Sequence, residues 1–135
     1  MKALSIIGLV LAVLYLGSCK TDVPPTLVIT VEDSLGGNLV NARVFTHPCQ
    51  DGVSCDTSRI EKSFIKSGTT NSSGTITFEY PYSAIIDISA QWTNCDTPTV
   101  YCLSSGKTVA RFETKKLKKG EDNIFNVVVT VYPEN

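Results

Sequence analysis

Residues 75–92 read TITFEYPYSAIIDISAQW, and this stretch decides the fold. Ile76, Phe78 and Tyr80 fall on one side of an extended chain, with Thr75, Thr77 and Glu79 on the other. That is the period of a strand, in which successive side chains point to opposite faces. Pro81 has no N–H to give to a ladder and ends the run. Ala84 opens a second run, with Ile86, Ile88, Ala90 and Trp92 opposite Ile85, Asp87, Ser89 and Gln91. Two runs of period two, each with one apolar face, predict half-buried strands.

The period continues outward. Upstream, Leu27, Ile29 and Val31 face one way and Val28, Thr30 and Glu32 the other. Asp33-Ser-Leu-Gly-Gly-Asn38 is rich in residues that accept positive φ and predicts a turn. Leu39–Thr46 reads as the next strand, with Val40, Ala42 and Val44 opposite Arg43 and Phe45, forming a hairpin with the first. His47–Ser58 reads as a loop, Arg59–Lys66 as a short edge strand, and Gly68 with Asn71-Ser72-Ser73-Gly74 as a turn. Downstream, Thr93–Gly106 reads as a second loop, and Lys107–Thr114 as a strand with Thr108, Ala110 and Phe112 on one side. Lys118–Asp122 predicts a turn, and Ile124–Tyr132 a strand with Phe125, Val127, Val129 and Val131 inward. Six to seven strands separated by Gly, Asn and Pro turns predict an all-β antiparallel sandwich over residues 26–135.

Two stretches carry a resemblance. LVITVEDSLGGNLVNARVF at 27–45 and GTTNSSGTITFEYPYSAIIDISA at 68–90 resemble the carboxypeptidase-regulatory or transthyretin-like sandwich family, related in form to immunoglobulin-like sandwiches. The residues that carry it are Asp33, Gly36, Ala42, Val44, Thr70, Asn71, Gly74, Phe78 and Pro81. The chain departs from that pattern in its longer segment between Phe45 and Gly68, and in Pro81-Tyr82-Ser83 where Pro-Gly-x-Tyr is usual. The resemblance implies the sandwich and a non-catalytic module, often on an exported protein; it carries over no ligand surface. Related sandwiches that form an internal Lys–Asn isopeptide bond use a first-strand lysine, which Thr26–Glu32 lacks.

The first residues are of another kind. Lys2 precedes an uncharged run from Ala3 to Cys19, the charged and apolar regions of an export signal. It is short for a membrane span of about 20 apolar residues. Leu16-Gly17-Ser18-Cys19 resembles the lipobox of bacterial lipoproteins, which implies cleavage after residue 18 and acylation at Cys19. Residues 19–25 then read as a lipidated cysteine and a proline-stiffened tether. The expected partner is the membrane, through the lipid, and the expected compartment the cell envelope, at the outer membrane on its periplasmic or surface face. Lys20 is not the Asp that retains some lipoproteins at the inner membrane, and Lys20-Thr21-Asp22 resembles the Lys-acidic surface-export signal of some Bacteroidetes lipoproteins without its adjacent acids. Asp33-Ser34-Leu35 resembles the O-glycosylation signal of that phylum.

Five cysteines occur, an odd count that leaves a thiol to explain in an exported protein. Acylation of Cys19 leaves Cys49, Cys55, Cys95 and Cys102, which export would place where disulfides persist. Their spacings exceed those of zinc pairs. If Arg59–Lys66 is a strand, the cysteine loops lie at opposite ends and each closes on itself; otherwise cross-pairing is open.

Charge and chemistry narrow the rest. Removing Lys2 lowers the 12 basic side chains to 11 against 13 acidic, so binding of nucleic acid by phosphate neutralisation is not expected. Lys115–Lys119 reads as a solvated turn, or alternatively as a contact for acidic polysaccharide or phospholipid headgroups. Nothing in the sequence near the one histidine, His47, suggests an acid to orient it as a base, and it reads as a surface loop residue. Asp33, Glu79, Asp87 and Asp96 read as solvated acids, and no cofactor motif is present. Tyr82, Trp92 and Tyr101 are the candidate ligand-binding residues, since exposed rings stack on sugars; the alternative is that Trp92 faces the core and the tyrosines cap the sandwich. The expected function is a binding or accessory module for an envelope protein or a glycan. The alternatives are a structural spacer or, less favoured, a hydrolase or inhibitor.

Overall fold

The computed structural model describes residues 20–48, 61–93 and 103–133. Among these, the strands are β1 (Lys20–Val23), β2 (Thr26–Glu32), β3 (Arg43–His47), β4 (Lys66–Thr69) and β5 (Thr75–Glu79), followed by β6 (Ala84–Thr93), β7 (Leu103–Phe112), β8 (Lys115–Lys118), β9 (Ile124–Thr130) and β10 (Tyr132–Pro133). Two sheets form an all-β sandwich: a five-stranded sheet in the order β10-β7-β6-β3-β4 and a three-stranded sheet in the order β5-β2-β9. A separate two-stranded ribbon pairs β1 with β8.

The alternating runs supply the core. Leu27, Ile29 and Val31 of β2 are buried against Ile86, Ile88 and Ala90 of β6 and Val44 of β3. Phe112, Val129 and Tyr80 close the same cluster. Burying such a side chain contributes about 1.5–3 kcal/mol, and Ile29, Val44, Ile86 and Val129 expose none of their surface.

The expected hairpin between 27–32 and 39–46 does not form. β2 and β3 lie in different sheets, and β3 pairs with β4 and β6. The cause is a crossover at 39–42, clasped by Thr70. The Thr70 hydroxyl donates to the Leu39 carbonyl at 2.6 Å and accepts from the Ala42 amide at 3.0 Å. The backbones of Thr70 and of residues 41–42 are joined as well, at 2.9 and 3.1 Å. Asn41 turns the chain with φ 60°, a left-handed value that asparagine tolerates better than most residues. Leu39 is therefore buried and Val40 exposed, the reverse of a continuous strand.

Other differences follow from packing. The edge strand expected at 59–66 lies at Lys66–Thr69, and Phe64 enters the core from a 3-10 turn at Lys62–Phe64. Gly68 sits inside β4, where a Cβ would come within 2.6 Å of the Ile76 side chain. Residues 115–118, expected as part of a turn, form β8 because β1 supplies a partner, and Leu117 and Val23 are half-buried. The pairing of β2 with β9 is parallel, against the antiparallel expectation. It is reached because the chain passes through β6, β7 and β8 before returning beside β2. After Thr130 the chain leaves the small sheet, and Tyr132 and Pro133 join β7 of the large one. Gly106 lies under that corner: a side chain there would collide with the Thr130 carbonyl.

Two turn residues make the fold testable. Thr70→Val should lower stability by about 2–4 kcal/mol, because the Leu39 carbonyl and the Ala42 amide lose their partner inside the core. The denaturation midpoint would fall with the m-value unchanged. The Asp33 carboxylate accepts the Gly37 and Leu35 amides, each at 2.8 Å, which holds its pKa below the ordinary 3.8. Its contribution is present above that value and is lost as pH falls through the lower folded one. Unfolding followed from neutral to acid pH should therefore show a shallower acid decline for Asp33→Asn than for the wild type.

Candidate functional site

An aromatic series runs through one end of the sandwich. Tyr82 packs edge-on to Phe64 with centroids 4.9 Å apart. Phe64 stacks on Tyr80 at 5.7 Å, Tyr80 on Phe112 at 4.7 Å, and Phe112 meets Phe125 at 6.2 Å. Such pairs add about 0.5–1.5 kcal/mol each beyond area burial. Tyr80 is buried, and its hydroxyl donates to Thr46 Oγ1 at 2.9 Å. Burial pushes the Tyr80 hydroxyl pKa up, partly offset by that bond. Thr46 is itself tied to the backbone of Phe64 and Lys66. Lys66 and Lys115 place their ammonium groups over the Tyr80 and Phe125 rings at 5.5 and 4.7 Å.

Tyr82 is the exposed terminus of this series. The residue is 48% exposed, and its hydroxyl donates to the Glu61 carboxylate. Beside it, an open cleft of about 340 Å³ is lined by Ser83, Ala84, Ile85, Arg111, Phe112, Glu113 and Thr114. The register of β6 and β7 builds this cleft, since Ala84 faces Phe112 and Ile85 faces Arg111. Ser83 Oγ accepts the Thr114 amide at 2.7 Å and fixes the rim. Thr114 Oγ1 is buried with no partner among the described residues. The cleft thus places a guanidinium, a carboxylate and the Ser83 hydroxyl together, with Ala84 and Ile85 beside them.

Of the candidate ligand residues, Tyr82 and Trp92 are described, and they stand at opposite ends of β6. Trp92 is half-buried against the core and donates from Nε1 to the Val40 carbonyl at 3.1 Å. Its ring holds the crossover and is not grouped with Tyr82. Tyr101, Cys19, Cys49, Cys55, Cys95 and Cys102 lie outside the described residues. The chain enters the 49–60 segment beyond His47, which is paired with Asp87, and the 94–102 segment beyond Thr93. Those points are six residues, or roughly 20 Å, apart along β6. Arg111 and Glu113 carried no signal in the sequence, where each is a lone charge on an alternating strand. Among the described residues no cluster of three or more His, Cys, Asp or Glu could hold a metal ion.

No family model matches the chain. No curated protein matches it either. Solved structures of similar form include the dioxygenase domain of a dioxygenase–carbohydrate-binding fusion from Streptomyces sp. SirexAA-E, 15% identical, with TM-score 0.45 over 85% of this chain and 84% of that one. A proposed carbohydrate-binding protein from Pseudomonas aeruginosa is 13% identical, with TM-score 0.44 over 84% of this chain and 92% of that one. (S)-allantoin synthase is 12% identical, with TM-score 0.42, over 87% of this chain and 46% of its own. These likenesses are too distant to assign a ligand or a reaction. They do correct one expectation: a dioxygenase domain and a synthase stand among these structures, so the expectation of a non-catalytic module is withdrawn.

Proposed function

We propose that this chain is an envelope lipoprotein, anchored at Cys19 and exported to the outer membrane, whose sandwich is a binding module for a glycan. The anchor rests on the motif Leu16-Gly17-Ser18-Cys19 and on the even number of cysteines that remain after Cys19. The observation that carries the ligand class is the cleft beside Tyr82. A pyranose has C–H faces that lie on an aromatic ring and neighbouring hydroxyls that both donate and accept. The exposed Tyr82 ring offers the first, and the cleft that begins at its chain neighbour Ser83 offers the second, with Arg111 as donor and Glu113 as acceptor. A volume of about 340 Å³ lies at the small end of the range for ligand sites. The proposed disulfides are Cys49–Cys55 and Cys95–Cys102, since the flanking residues of the two segments stand far apart on β6.

Two measurements test this reading. The intact mass of protein extracted from its native membrane should show a chain beginning at Cys19, carrying acyl mass and taking up four alkyl groups only after reduction. An unacylated chain beginning elsewhere would overturn the anchor. On a glycan array the mature chain should give signal that Tyr82→Ala and Arg111→Ala each reduce at least about tenfold, or about 1.4 kcal/mol. Trp92→Ala should leave it in place. Signal that survives Tyr82→Ala, or no signal from the wild type, would count against this cleft and favour a spacer.

A further inference from the structure

We infer that the β1–β8 ribbon is a docking surface for anionic lipid headgroups, holding the sandwich in a set orientation on its membrane. This rests on the proposed anchor at Cys19. The pairing gathers lysines that the sequence separates by almost a hundred residues. Lys20 lies opposite Lys118, and Asp22 opposite Lys116. Cross-strand partners share a face, so Lys20, Lys116 and Lys118 stand together with one acid between them. Lys119 continues the cluster into the turn, and all four are exposed. Glu121 in that turn is engaged by the Lys118 amide at 3.0 Å. Among the described residues no carboxylate forms an ion pair with any of these four ammonium groups.

The register itself calls for a counter-charge. Like charges directly opposite on neighbouring strands destabilise a pair, and Lys20 and Lys118 are such a pair at the free end of a four-residue ribbon. The ribbon is held at its other end by Asn123, which donates to the Val23 and Glu113 carbonyls at 3.0 and 2.8 Å. Lys20 follows Cys19 directly, and one residue spans about 3.8 Å. An acyl chain on Cys19 would therefore bring the Lys20–Lys118 end of the ribbon to the headgroups. Juxtamembrane lysines are attracted to anionic lipid there and lose that attraction beyond a Debye length. The acyl chains would supply retention and the ribbon would set the tilt, with the Thr93–Leu103 end of the sheet away from the bilayer.

The test uses the mature chain carrying Cys19→Ser, so that no acyl chain contributes. Sedimentation with phosphatidylcholine vesicles, with and without phosphatidylglycerol, should show binding only to the anionic vesicles, released by high salt. Lys118→Glu should weaken that binding on the order of tenfold. The same variant should raise the thermal unfolding midpoint, because an acid then faces Lys20, so lost binding cannot be ascribed to misfolding. Lys107→Glu, on the five-stranded sheet, should leave binding unchanged. Equal binding to both vesicles, no binding to either, or full binding by Lys118→Glu would overturn the inference. An unacylated Cys19 in the native protein would overturn the anchor and with it the set orientation, whereas failure of the vesicle measurement would overturn the ribbon's affinity for anionic lipid and leave the anchor standing.

Discussion

The hydroxyl of Thr70 is the contact on which the two-sheet architecture depends. A chain leaving β2 through a Gly-rich turn has an easy alternative, which is to fold straight back and pair with itself. Such a hairpin would put Leu39 and Ala42 on a ladder and leave β6 without β3. Thr70 prevents this by satisfying a carbonyl and an amide of the crossover at once. Its hydroxyl can do so because it is both donor and acceptor, and because the site is buried the bonds are not exchanged with water. Trp92 adds a second hold on the same segment through the Val40 carbonyl. The crossover thus commits β3 to the large sheet, and the core between the sheets follows.

The opposite end is organised by rings rather than by a hydroxyl clasp. Tyr80 is the hinge of that series, stacked between Phe64 and Phe112 and bonded through its hydroxyl to Thr46. Phe112 has a second role, as a wall of the cleft. Rigid packing behind a cleft reduces the ordering cost of binding, which is why a surface ring backed by a core is a better platform than one on a free loop. Tyr82, held edge-on by Phe64, has that backing. The ribbon departs from the same end, so the proposed ligand site and the proposed membrane contact are neighbours in the fold.

The strands themselves were legible because burial of one face imposes period two on the residues. Ile76, Phe78 and Tyr80, and Ile86, Ile88 and Ala90, point inward as their alternation implied. Asp33 and Asn71 were legible as turn residues for a local reason. Each carboxylate or amide oxygen accepts amides within four positions of its own. Gly74, with φ 71°, completes the second turn where a side chain would be strained. Lys115–Lys118 was not legible as a strand, since a run of lysines broken only by Leu117 has no alternating apolar face to reveal it. Tyr82 was readable as an exposed ring, but the cleft was not, because Ile85 and Arg111 are brought together only through the register of β6 and β7.

Local patterns by themselves determined the class of the fold, the turns and the motif at Cys19. Each depends on residues within a few positions of one another, where side-chain periodicity and backbone preference act. The tertiary structure alone decided which strands share a sheet, the parallel return of β9 beside β2, the pairing of Lys20 with Lys118 and the parting of Tyr82 from Trp92. Those outcomes turn on which hydrogen-bond partners survive burial when distant segments meet, and no local window of sequence contains both sides of that contest.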